Sequence, residues 1–192
     1  MNETGEPGAG FAQRVDAAML ARAQRGDMQA FANLYTLFGR SCFNLALRIL
    51  GNRAQAEDLV QEVFLKMIGT IRGYRGDAPF GSWLKRLTVN AIIDQLRGQR
   101  HDADIDAEAV ELAAEPANTA AAVDAWSLLQ RLPPRARAVL LLHEFEGYTH
   151  AELAAVFGQS ESYSKSILAR ALKRLSDLVA THPGSEPWPS RN

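Results

Sequence analysis

The sequence predicts an all-α protein made of two small helical domains joined by a flexible acidic linker. Three observations carry that expectation. Apolar residues recur at three- and four-residue steps in both halves, and no segment shows the period-two alternation of a strand. Glycine, proline and capping residues punctuate those segments at helix-length intervals. From His101 to Asp124 there are seven carboxylates (Asp102, Asp104, Asp106, Glu108, Glu111, Glu115, Asp124) and no Lys or Arg, a composition that favours a flexible chain over a packed one. The expected organisation is therefore a disordered start over 1–12, a helical domain over 13–100, the linker over 101–124, a second helical domain over 125–180 and a disordered tail over 181–192.

Taken in order, Val15 to Arg25 reads as a short helix stopped by Gly26. Asp27 can cap a longer helix whose buried stripe is Phe31, Leu34, Tyr35, Phe38, Cys42, Leu45, Ala46 and Ile49, with Gly51 ending it. Asn52 caps the next helix, with Gln55 in the capping-box position and early carboxylates near the positive end of the dipole. There Leu59, Val60, Val63, Phe64, Met67 and Ile68 form one buried face, and Glu57, Asp58, Gln61 and Glu62 fall outside it. Taken alone, that acidic stripe fits a solvated amphipathic helix.

Gly73, Gly76 and Gly81 then mark a loop, and Asp77 with Pro79 a helix start, after which Phe80, Trp83, Leu84, Leu87 and Ala91 give a buried face. Beyond the linker, Ala125 to Leu132 forms a short helix ending at Pro133 and Pro134. Arg135 to Phe145 follows, with Ala138, Val139, Leu141 and Leu142 inward. Thr149, with Glu152 three residues on, caps a helix through Phe157; Gly158 turns the chain, and Ser160 caps a last helix from Glu161 to about Val179. Thr149 to Leu175 has the form of a helix-turn-helix with a core of Leu153, Ala154, Phe157, Leu168, Leu172 and Leu175. A plain helical hairpin fits the same pattern. Ser162, Tyr163, Lys165, Ser166, Ala169 and Arg170 lie on the other faces of the second helix, where hydroxyls and cations suit phosphates and base edges.

The formal net charge of -1 hides a segregation: setting the seven linker acids aside leaves +6 on the rest. Arg40 to Arg100 holds ten Lys or Arg against five Asp or Glu, and Ala125 to Thr181 seven against five. The single cysteine, Cys42, excludes an intrachain disulfide or a cysteine-cluster metal site. His143 and Glu144 invite comparison with a zinc-protease motif, but Gly147 occupies the position of the second histidine and His150 lies past the break. No phosphate-binding glycine loop appears, so neither an enzyme nor a cofactor is expected. MNETGEPGAG lacks the charge and apolar run of a signal peptide, and no apolar run approaches bilayer length, so a cytoplasmic protein without membrane insertion is expected.

The order of pieces resembles the extracytoplasmic function (ECF) group of the sigma-70 family of bacterial RNA polymerase sigma factors, which contain only conserved regions two and four. The resemblance covers Gly26 to Arg100 and Ala125 to Leu178. It rests on AEDLVQEVFLK, YRGDAPFGSWLKRLTVNAIIDQLR, LPPRARAVLLLHEFEGYTHAELAAVFG and KSILARALKRL.

The resemblance implies a region 2 helical bundle and a region 4 helix-turn-helix, with core RNA polymerase and promoter DNA as partners and an anti-sigma factor as a regulator. Asp58, Gln61 and Glu62, with Glu57 and Leu65 beside them, match the positions that dock on the polymerase clamp helices. Gly76, Asp77, Ala78, Phe80 and Asn90 match the pocket for an unstacked base of the minus-ten element, and Arg75, Lys85, Arg86 and Arg97 are placed to steer phosphates. Lys165, Ser166, Ala169 and Arg170 match the positions that contact the minus-thirty-five element.

Two departures bear on that helix: Ser164 stands where a valine packing inward is usual, and Ile167 where an arginine is common, while Tyr163 replaces a threonine. The acidic linker resembles the segment that occupies the RNA exit path, and a solvated tether fits it equally. A stand-alone helix-turn-helix regulator with a helical dimerisation or sensing domain, or a helical adaptor, would also use parts of this pattern.

Overall fold

The computed structural model describes residues 10–98 and 120–180, with side chains described from 125 onward in the second stretch. Among the described residues there are eight α-helices, two turns of 3-10 helix and no strand. The chain divides into two compact units, the first ending at Gln95 and the second starting at Leu96. The acidic segment expected as a linker lies largely outside the described residues, and its last positions, from Ala120, already belong to a helix.

The first unit begins with a 3-10 turn at Gly10–Ala12, where a disordered start was expected. Two interactions fix that segment. Gln13 Nε2 donates to the Leu37 carbonyl at 2.9 Å. The Phe11 carbonyl occupies the space that a Cβ on Gly81 would need, an approach that only glycine permits.

Helix α1 (Ala17–Gln24) is tied at its end by Gln24 Nε2, which donates to the Tyr74 carbonyl at 2.8 Å and the Ile71 carbonyl at 3.3 Å. Helix α2 (Met28–Leu50) starts at Asp27, whose carboxylate accepts from Gln29 N at 2.8 Å and Ala30 N at 3.2 Å, and ends at Gly51 in the left-handed region. Helix α3 (Arg53–Thr70) starts at Asn52, whose side chain accepts from Gln55 N at 3.0 Å. Its first turn carries no acid: Glu57, the first carboxylate, comes one turn later than the dipole argument assumed.

Because only Gly51 and Asn52 join them, α2 and α3 run antiparallel, and they pack along their length. Leu34, Phe38, Cys42, Leu45, Ala46 and Ile49 of α2 are buried with Leu59, Val60, Val63, Phe64 and Met67 of α3. Each large apolar side chain removed from water in this way contributes about 1.5–3 kcal/mol. Two residues expected in this stripe sit at its rim: Tyr35 is 51% exposed and Ile68 38%.

After a 3-10 turn at Ile71–Gly73, helix α4 (Phe80–Gly98) contributes Phe80, Leu84, Val89, Ala91, Ile92, Ile93 and Leu96 as buried residues, while Trp83 and Leu87 are half-buried. Thr88, buried, donates within its own helix to the Leu84 carbonyl at 2.9 Å and lies 3.4 Å from Cys42 Sγ.

In the second unit, α5 (Ala120–Gln130) begins five residues earlier than expected. Helix α6 (Pro134–Glu144) uses Pro134 in its first turn and is buried from Ala136 through Leu142. That run includes Arg137, whose guanidinium donates to Gln130 Oε1 at 2.7 Å and is pushed down to about 10 by burial. Thr149 and Glu152 close the expected capping box on α7 (His150–Phe157), and Gly158, left-handed, ends it. Helix α8 (Glu161–Ala180) packs against α5, α6 and α7. Ser160 caps it by accepting from Tyr163 N at 3.1 Å.

Candidate protein and nucleic-acid interfaces

Three exposed surfaces collect the residues singled out in the sequence. On α3, Asp58, Gln61, Glu62 and Leu65 are all exposed, and their three- and four-residue spacing puts them in one stripe about 100° wide or less. Leu65 is 70% exposed, so an apolar side chain stands open at the end of an acidic row. Glu57 belongs to the flank of that row. Its carboxylate accepts from Arg53 Nε at 3.0 Å, and the Arg53 guanidinium lies 5.8 Å from the centre of the Phe43 ring. The exposed Ile68, three residues after Leu65, extends the stripe; counting it into the buried face concealed it.

The second surface is the loop before α4. Tyr74 anchors it: the ring meets Phe80 at 5.5 Å and Trp83 at 5.5 Å between centroids, and the hydroxyl donates to the Ala78 carbonyl at 2.6 Å. Phe80 in turn packs on Phe38 at 5.6 Å and on Trp83 at 5.4 Å. The aromatic cluster holds both ends of the loop and leaves its middle outward. Arg75, Gly76, Asp77 and Ala78 are exposed there, with Arg75 Nε and Asp77 Oδ2 3.4 Å apart in an open ion pair. Phe80 is buried, as its place on the inner face of α4 predicts, and supports the loop from below.

Along α4, the exposed Arg86 and the half-buried Asn90 fall at i and i+4, about 40° apart around the axis, while the half-buried Arg97 belongs to the second unit. Lys85, half-buried, lies roughly 100° from that stripe. The structure therefore groups the loop residues with one another, above Phe80, and Arg86 with Asn90, with Lys85 apart.

The third surface is α8. Ser164, Ile167, Leu168 and Ala171 are buried, and Ser162, Lys165, Ser166, Ala169 and Arg170 are exposed on the opposite side, with Tyr163 half-buried between. Lys165 Nζ lies 3.6 Å from Glu161 Oε2 and Arg170 Nε donates to the Ser166 carbonyl at 3.4 Å, both contacts open to solvent. Lys173, exposed three residues after Arg170, continues the cationic face and was not singled out. Two core expectations change: Leu172 is 46% exposed and Leu175 half-buried. Ile167 turns inward and fills the core.

Open carboxylates beside an apolar side chain suit a basic protein partner. Cations and hydroxyls on one helix face suit a nucleic-acid groove. Among the described residues no three His, Cys, Asp or Glu side chains come together as a metal site, and no helix is long and apolar enough to cross a membrane.

Comparison with known proteins follows the same division. Residues 34–101 match the family model for sigma-70 region 2, and residues 123–175 that for sigma-70 region 4. The chain is similar to the ECF RNA polymerase sigma factor SigM of Mycobacterium tuberculosis, at 33% identity over 177 residues that cover 90% of each chain. It is also similar to the RNA polymerase sigma-H factor of Pseudomonas aeruginosa, at 31% identity over 87% of this chain and 95% of that one. Among solved structures, CnrH in complex with the cytosolic domain of CnrY matches with a TM-score of 0.51 and 26% identity, over 85% of this chain and 96% of that chain. The sigma factor RpoE bound to the anti-sigma factor NepR, from Bartonella quintana, shares the fold with a TM-score of 0.54 at 22% identity, over 79% and 97%.

Proposed function

The chain belongs to the ECF group of the sigma-70 family, factors that bind core RNA polymerase, direct it to promoters and promote their melting, and we propose that its three surfaces divide that work. The stripe Asp58, Gln61, Glu62 and Leu65 docks on the polymerase. Its carboxylates orient the encounter with a basic partner, and Leu65 supplies apolar contact. Glu57, held by Arg53, shapes the rim.

The loop Arg75 to Ala78 holds an unstacked base of the minus-ten element, and Asn90, Arg86 and Arg97 follow the separated strand. Phe80 keeps the loop in place from the core side. The outer face of α8, with Ser162, Tyr163, Lys165, Ser166, Ala169, Arg170 and Lys173, enters the minus-thirty-five major groove. The factor supplies binding energy and no catalysis of its own, and it works in the cytoplasm, where core polymerase and promoter DNA are found.

An anti-sigma factor is a further partner. Support comes from CnrH and RpoE, both of which were solved with a second protein bound.

The single observation that carries the reading is the order and separation of these faces: an open acidic row in the first unit and an open cationic row on the last helix of the second. Transcription in vitro with purified core enzyme on genomic fragments tests it. New start sites should appear only when this protein is added. No new start, together with no co-elution with core, would overturn the reading. Tight binding of the free protein to a palindromic duplex would favour a stand-alone regulator instead.

A further inference from the structure

A polar chain runs through the second unit. Thr88, Arg137 and Ser164 are the buried polar side chains among the described residues. Thr88 satisfies its hydroxyl on its own helix and Arg137 bonds to Gln130, the residue closing α5, but Ser164, 2% exposed, reaches a titratable ring on another helix. Ser164 Oγ and His150 Nδ1 are 3.0 Å apart. His150 opens α7, and its ring stacks on that of His143, near the end of α6, with centroids 4.4 Å apart and planes 21° apart. His143 Nδ1 donates to the Tyr148 carbonyl at 2.7 Å, which fixes its ring against the turn before α7. One connected path therefore joins α6, α7 and the buried side of α8.

We infer that His150 is a positioning residue for α8: through Ser164 it sets the angle at which the exposed face of that helix meets the minus-thirty-five element, and it does so in a proton-dependent way. The second half of that statement rests on the functional reading above.

A buried hydroxyl is costly without a partner, so the pair confines α8 to orientations that keep the bond. Ser164 lies on the same helix as Lys165, Ser166, Ala169 and Arg170, so a tilt that breaks the bond moves all four. Protonation acts on the stack. A charged His150 faces the His143 ring, sits at the positive end of the α7 dipole and has Lys165 on α8 beside it. Glu144 on α6 and Glu161 on α8 oppose that effect. Burial first, then His143 and Lys165, hold His150 below the ordinary histidine range despite the two carboxylates. In the neutral ring Nδ1 can accept from the Ser164 hydroxyl; as the pH falls through the lowered value Nδ1 becomes a donor, the bond reverses, and the ring gains a charge beside His143 and Lys165, so the orientation the pair sets for α8 shifts.

The test uses the full chain with His150→Phe, Ser164→Val and the double variant. Each single change should lower the melting temperature, and the double change should regain most of the loss, because both polar partners leave together. Holoenzyme of the wild type should lose promoter affinity severalfold as the pH is lowered from neutrality through the His150 titration, below the ordinary histidine range. The double variant should give a flat profile, and core binding should be unchanged in all.

Strictly additive melting shifts, or identical pH profiles for wild type and double variant, would overturn the inference. If the melting shifts are coupled but wild-type holoenzyme forms no promoter complex at any pH, the functional reading fails and the positioning of α8 stands.

Discussion

Tyr35 and Phe64 meet edge to face across the α2–α3 hairpin, ring centroids 4.8 Å apart and planes at 61°, one ring open to solvent and the other buried. The two rings therefore differ sharply in what they contribute. Removing Phe64 opens a cavity in the core, and Phe64→Ala should cost about 3–5 kcal/mol. Tyr35→Ala removes the outer half of the pair and should cost roughly 1 kcal/mol. Thermal unfolding followed by circular dichroism checks both, and equal losses would contradict the depth assigned to each ring.

Asp58 and Glu57 are adjacent in sequence and about 100° apart on α3, with Glu57 engaged by Arg53. Asp58→Arg should weaken binding to core polymerase about tenfold or more, chiefly by slowing association, and the deficit should shrink as salt is raised. Glu57→Ala should change binding severalfold at most. Association rates of the full chain with core, measured at two salt concentrations, decide the matter; a larger defect for Glu57 would move the docking row.

On α8, Arg170→Ala should cost about 1–3 kcal/mol at promoters that offer it a base edge and relax the preference there. Lys173→Ala should weaken binding evenly across sequences and reduce the salt slope by about one. Competition binding of holoenzyme to a promoter library separates the two patterns. Indifference of every promoter to both changes would remove this face from the DNA.

Asp27 accepts from Arg22 Nε at 2.7 Å as well as from the first amides of α2, and the Arg22 hydrogen bond, followed by those amides, holds its carboxyl below the ordinary value of 3.8. The unfolded chain thus binds the proton more readily than the folded one. Its contribution is present above the ordinary value and disappears as pH falls through the lowered one. Asp27→Asn keeps a capping oxygen and loses the charge. Its melting temperature should approach that of the wild type at the acid end of a pH series and fall short of it near neutrality.

Cys42 is buried, and burial pushes its thiol up to about 11. Thiolate is the reactive form, so iodoacetamide at pH 7–8 should leave the native protein unlabelled. Labelling in mild denaturant should track unfolding; rapid labelling of native protein would mean that α2 opens locally.

The parts of the fold that could be read from sequence were those governed by local chemistry. Asp27, Asn52 and Thr149 cap because an acceptor there meets free amides within three residues. Tyr35 and Ile68 were misplaced because helical spacing fixes the side on which a residue lies and not how far a packed neighbour reaches. Phe80 was legible as an inward position from its helical spacing, but its partner Phe38, forty-two residues earlier in the chain, was not. Ile167 could have been placed inward from its spacing to Ser164 and Ala171. The bond from His150 to Ser164 joins separate helices and leaves no periodic trace.

The close passage of the Phe11 carbonyl over Gly81 bears on engineering. Swapping the Tyr74 to Gly81 loop for that of a relative, as one would do to retarget the factor, is not a local graft. A donor loop that ends in any larger residue would collide with the backbone ahead of α1, so a workable chimera must carry over the glycine or replace residues 10–13 at the same time.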